Sequence, residues 1–146
     1  MDKAINVTDV SPENIDRIWP MVRDKLANAI QHNQGEHELP DLHVNLLVGR
    51  MKLWVSYDEE GNVRSCAIVE LRRELHRLVC FILYAAGGDL HDWELGSECI
   101  EGWAFEMGAD VMQAYARPGV ERRFKNNGYQ KVYTVVQKDL TQRRLH

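Results

Sequence analysis

The chain has 146 residues, 45% of them hydrophobic, and a formal net charge of −4. That length suits one ordinary domain able to bury a core without disulfides or a metal, and no run approaches the roughly 18 apolar residues a membrane helix needs. Met1, Asp2 and Lys3 are not followed by an apolar stretch of the kind an export signal carries, so a cytoplasmic location is expected.

Residues 3–10 alternate apolar Ile5 and Val7 with polar neighbours and predict a first, half-buried strand. Ser11, Pro12 and Glu13 then supply an N-cap, a proline at the first helical position and an acid in the first turn. The helix that follows carries Ile15, Ile18, Trp19, Val22, Leu26, Ala29 and Ile30 at helical spacing, with a kink or break expected at Pro20. Residues 32–40 read as a loop, Asp41 as the cap of a short second helix, and Gly49 as its end.

Residues 52–57 and 63–72, separated by a polar turn containing Gly61, predict a β-hairpin. Residues 78–84 (LVCFILY) are an unbroken apolar run, which reads as a central strand covered on both faces. After Gly87 and Gly88 comes a long helix. Trp93, Cys99, Ile100, Trp103, Ala104 and Met107 are placed on one side, Glu94, Glu98, Glu101 and Glu106 on the other, and Gly108 is the stop. Residues 110–116 predict a strand, 119–127 a short basic helix, and 129–136 (YQKVYTVV) a last strand. The expected organisation is one domain over residues 1–138 and a polar tail over 139–146.

Cys66, Cys80 and Cys99 are odd in number and set among apolar neighbours, which predicts reduced core residues and no metal site. His32, His37 and His43 read as solvated loop residues, since no histidine pair has ligand spacing on a predicted helix. Charge is uneven. Residues 117–146 hold eight Lys and Arg against two acids, a local +6, and no Lys or Arg occurs between Ala85 and Ala116. Arg117, Arg122, Arg123 and Lys125 are therefore the candidate contact surface, for a protein partner first because the chain as a whole is acidic, with a nucleic acid along 117–131 as the lesser alternative.

The succession β-α-α-β-β-β-α-β-α-β, with the Gly128-Tyr129 pair opening the last strand, resembles the GNAT or acyl-CoA N-acyltransferase fold over nearly the whole chain. The resemblance implies an α/β protein with a mixed, mostly antiparallel sheet flanked by helices. The wording of residues 100–129, IEGWAFEMGADVMQAYARPGVERRFKNNGY, looks most like small GNAT-like proteins of tailed bacteriophages, some of them virion components. That likeness implies a virion or host-interaction protein, located in the host cytoplasm or the particle.

Enzymes of the resembled family hold the coenzyme pyrophosphate on a loop of the form R/Q-x-x-G-x-G/A. In this chain that place falls on Gly87, Gly88, Asp89 and Leu90, with no Arg or Gln ahead of them. Asp89 and Asp92 bring negative charge to the start of the helix, where a phosphate would meet repulsion of about 2 to 3 kcal/mol per charge pair at ~6 Å. Either aspartate can instead cap the helix. The family's acid tyrosine is matched by Phe124 and its asparagine by Arg117, and phenylalanine donates no proton. The expectation is accordingly a protein without acetyl-CoA-dependent catalysis and without a cofactor. The alternative is an N-acyltransferase using acetyl-CoA or another acyl-CoA on an atypical loop, with Glu70 or Tyr84 assisting proton transfer.

Overall fold

The structure, a computed structural model, describes residues 4–145. The chain divides into two compact units, one ending at Tyr115 and one beginning at Ala116.

The first unit is built on a five-stranded sheet of order β1-β2-β3-β4-β5: Asn6–Val10, Lys52–Tyr57, Val63–Arg73, Leu78–Gly87 and Val111–Ala114. The first three junctions are antiparallel and the last, β4 with β5, is parallel. Lys3, expected to begin the first strand, lies outside the described residues. The β2–β3 hairpin closes over Asp58, whose carboxylate accepts from the N–H of Glu60 at 3.0 Å and of Asn62 at 2.8 Å.

Successive residues of β2 face opposite sides of the sheet, and both sides are covered. On one side Leu53, Val55, Cys66 and Ile68 pack against α1 (Ile15–Ile30) and α2 (Leu39–Leu47) through Ile15, Val22, Leu26, Leu42 and Leu46. On the other, Trp54, Val69 and Cys80 meet Ile100 and Ala104 of α3 (Leu90–Glu106). Full burial of a side chain such as Leu53 or Ile68 contributes about 1.5–3 kcal/mol each.

Several local expectations are corrected. Helix α1 continues through Pro20 without a break; the proline is exposed, so its missing N–H and its ring fall on the solvent side. Asp41 is not the cap of α2 but its third residue, accepting the Glu38 N–H at 2.7 Å across the cap. Cys99 is exposed rather than in the core, because the buried stripe of α3 runs through Asp92, Ile100 and Ala104. Among the described residues no helix is long and apolar enough to cross a membrane, and no three His, Cys, Asp or Glu gather as a metal site.

In the second unit, α4 (Pro118–Asn126) starts after Arg117 and buries Phe124, whose ring meets Tyr129 edge to face at 4.8 Å. The expected last strand is absent among the described residues: positions 129–140 have no regular structure, and Val132, Tyr133, Val135 and Val136 are 61–87% exposed. Strand propensity alone does not make a strand, because its N–H and C=O groups need a paired neighbour. The tail forms a short 3-10 turn at Thr141–Leu145, and His146 lies outside the described residues.

Candidate functional site

The sheet splits at one extra residue. Ile68 faces Tyr84 across the β3–β4 ladder while Val69 faces Ile82, so Leu83 is a bulge in β4. An inserted residue bends its strand and increases its twist. The β4–β5 pairing runs from Val79↔Val111 to Ile82↔Ala114 and stops there, immediately before the bulge. Leu83 and Tyr84 consequently both pack toward the α1–α2 core. Residues 84–87 keep β3 on one edge, and among the described residues no strand pairs with the other. The backbone groups along that open edge can pair with an extended, amide-bearing ligand.

Tyr84 stands on this free stretch and is the hub of a polar cluster. Its Oη accepts from Asn33 Nδ2 at 3.2 Å and lies 2.8 Å from His37 Nδ1. The two rings meet edge to face, 5.7 Å between centroids. Asn33 also donates to the His37 carbonyl at 2.8 Å and accepts the Gly35 N–H at 2.9 Å, so the loop between α1 and α2 is folded around the tyrosine. Burial raises the Tyr84 pKa, the Asn33 hydrogen bond opposes it, and the negative charge of Glu36 adds to the rise.

The far end of the free edge is the glycine corner. Gly87 and Gly88 have φ of +78° and +73°. A Cβ would come within 2.6 Å of the Arg64 carbonyl oxygen at Gly87, and within 2.8 Å of Asp92 Cβ and 2.9 Å of Ser65 Cβ at Gly88. Both positions thus require glycine for backbone and for space. Asp89 caps α3, accepting the Asp92 N–H at 3.1 Å, and Asp92 accepts the Asp89 N–H at 2.9 Å. Leu90, the first residue of α3, is 55% exposed.

The charge at this corner differs from the sequence expectation. Asp92 is buried, and Arg64 of β3 reaches it with Nε and Nη2, each at 2.9 Å, while Ser56 Oγ donates at 2.9 Å. Arg64 Nη2 is also 3.4 Å from Asp89. The guanidinium holds the Asp92 carboxyl well below the usual carboxylate range, against the opposing effect of burial. Lys25 of α1 arrives from the other side of the sheet corner, its Cε 3.2 Å from where a Gly87 Cβ would stand. One cation, Arg64, therefore pairs with both aspartates.

The remaining candidates fall elsewhere. Glu70 lies opposite Phe81 in the ladder and is ion-paired with Arg72, whose guanidinium covers the Phe81 ring at 3.9 Å. Arg117, Arg122, Arg123 and Lys125 are exposed on or beside α4. Sequence reasoning missed Asn33, His37, Lys25 and Arg64. Each comes from an element remote in sequence from residues 84–92, and no local motif marks it.

No family model and no curated protein matches the sequence. In structure the chain is similar to an aminoglycoside N-acetyltransferase in complex with CoA (TM-score 0.71, 10% identity, 97% of each chain covered). It is similar also to a predicted acetyltransferase with acetyl-CoA from Clostridium acetobutylicum (TM-score 0.69, 9% identity, 95% of this chain and 98% of that one). A third is an aminoglycoside acetyltransferase from an uncultured soil metagenomic sample in complex with sisomicin (TM-score 0.66, 7% identity, 92% and 97% covered). The expectation of no cofactor is corrected here. Two of these structures of like fold hold CoA or acetyl-CoA, and the charge argument against an anion is weakened because Arg64 pairs with both Asp89 and Asp92. The chain has the GNAT acetyltransferase fold, a mixed, mostly antiparallel sheet flanked by helices.

Proposed function

We propose that the protein binds an acyl-CoA and transfers its acyl group to an amine. The observation that carries this reading is the split after Ile82 and Ala114, which leaves the edge of residues 84–87 open from Tyr84 to the glycine corner. That edge suits the amide-bearing arm of the coenzyme. At its end Gly87, Gly88 and the first N–H groups of α3 suit the phosphates, with Lys25 as the added cation. Bound there, the coenzyme would supply a thioester carbonyl open to attack. Glu70 is engaged with Arg72, so Tyr84 is the sequence candidate better placed to handle a proton. The amine-bearing acceptors of the similar aminoglycoside enzymes support the same class of acceptor.

Calorimetry with CoA and acetyl-CoA tests the reading. Saturable binding with a rise in melting temperature is expected, since at 100 times Kd a ligand selective for the folded state adds about 2.7 kcal/mol. Absence of both at millimolar acetyl-CoA would sink it. The virion or host-interaction role implied by the phage resemblance draws on the wording of residues 100–129 alone, and no observation of the fold adds to it.

A further inference from the structure

Resting on the acyltransfer reading, we propose that Tyr84 is the catalytic base of the protein through a proton relay to His37, with Asn33 as the positioning residue. No carboxylate occurs in β4, and the carboxylate of Glu70 on β3 is tied to Arg72. Phe124 offers no proton either. Tyr84 belongs to that open stretch of β4, and the Leu83 bulge turns its side chain toward the loop between α1 and α2.

A phenol is a poor base alone, and partial burial raises the Tyr84 pKa further, which keeps the phenolate from forming. His37 removes that difficulty. With Nδ1 2.8 Å from the phenol oxygen, the imidazole can take the phenolic proton while the same oxygen accepts a proton from the acceptor. No tyrosinate accumulates. Asn33 Nδ2 donates to the phenol oxygen at 3.2 Å and to the His37 carbonyl at 2.8 Å. It thereby fixes the oxygen and the backbone that carries the imidazole. The ring contact between His37 and Tyr84, 79° between planes, holds the nitrogen in line.

The amine nitrogen bonds to the thioester carbonyl carbon as the C–S bond breaks, and that electron pair goes to the sulfur. The proton lost by nitrogen passes to Tyr84 Oη, the phenolic proton passes to His37 Nδ1, the imidazolium loses its Nε2 proton to water, and proton exchange with water then restores the Nε2–H tautomer. A water proton neutralises the thiolate. Glu36 of the same loop acts on Tyr84, and its negative charge favours an acceptor that carries a second, cationic amine beside the neutral one that attacks.

Two measurements test the relay. In 15N NMR of the unliganded protein, His37 Nδ1 is expected without a proton and Nε2 with one, and Tyr84→Phe should release this fixed tautomer. A proton on Nδ1 would overturn the proposal. In acetyl transfer from acetyl-CoA to a panel of sisomicin, spermidine, histamine and lysine methyl ester, Tyr84→Phe and His37→Gln should each lower kcat about 100-fold or more. Their calorimetric acetyl-CoA affinity should stay within twofold of wild type. Wild-type protein that binds no acetyl-CoA refutes the acyltransfer reading itself. Protein that binds it yet acetylates no amine of the panel, or variants that keep kcat within twofold, refute the relay.

Discussion

Arg64 and Asp92, 28 residues apart, join β3 to the first turn of α3 by two contacts of 2.9 Å, with the Asp92 side chain fully buried and that of Arg64 31% exposed. Removing the cation leaves a buried carboxylate without its partner. Arg64→Met should therefore lower stability by about 3–5 kcal/mol, read as a fall in the urea midpoint at unchanged slope. The double variant Arg64→Met/Asp92→Leu should recover part of the loss. If it is no more stable than Arg64→Met alone, burial of the unpaired charge is not the cause.

The same pair gives the protein an acid limit. The Asp92 pKa is depressed in the folded chain, chiefly by Arg64, so its contribution to stability is fully present above the ordinary carboxylate value of about 4. Stability should decline as pH falls below that value toward the depressed folded pKa. Melting temperature followed from pH 7 to 2.5 should show this decline, and the Asp92→Asn variant should show a shallower one over the same window.

Gly88 and Gly61 have similar positive φ, +73° and +84°, but different surroundings. A Cβ at Gly88 meets Asp92 and Ser65 side chains, whereas one at Gly61 meets nothing within 4 Å. Gly61→Ala should cost about 1 kcal/mol of backbone strain alone. Gly88→Ala should cost about 2–4 kcal/mol, strain plus displacement of packed atoms. Equal losses in denaturant titration would show that the contact at the corner is unimportant.

Burial raises the Cys66 thiol to about 12 and the Cys80 thiol to about 11, while Cys99 is exposed. Thiolate is the reacting form. At pH 8 iodoacetamide should modify Cys99 first, with one adduct per native chain by mass spectrometry and three after denaturation. Early labelling of Cys66 or Cys80 would show that the sheet opens on the timescale of the reaction.

Much of the chain order was legible in the sequence because its signals are local. The apolar run that begins at Leu78, the turn at Gly61 and the stop at Gly108 each depend on neighbours a few residues away. The missing strand at 129–136 shows the limit: its alternation is real, but pairing depends on a neighbour the segment cannot specify. Cys99 was misplaced for a related reason, since two faces of α3 carry apolar residues and only the sheet decides which is covered.

The site was half legible. The sequence by itself determined that a strand, a two-glycine turn and a self-capped helix would follow one another at residues 78–107, and that Asp89 could act as the cap, because propensity and capping chemistry act over three or four residues. Only the tertiary structure decided the charge of that corner and the company of Tyr84. Arg64 and Lys25 reach the corner from another strand and from a helix. Asn33 and His37 reach Tyr84 across 51 and 47 residues. Electrostatics and hydrogen bonding act through space, so the aspartates that read as an obstacle to a phosphate along the chain are, in the folded protein, already paired with Arg64.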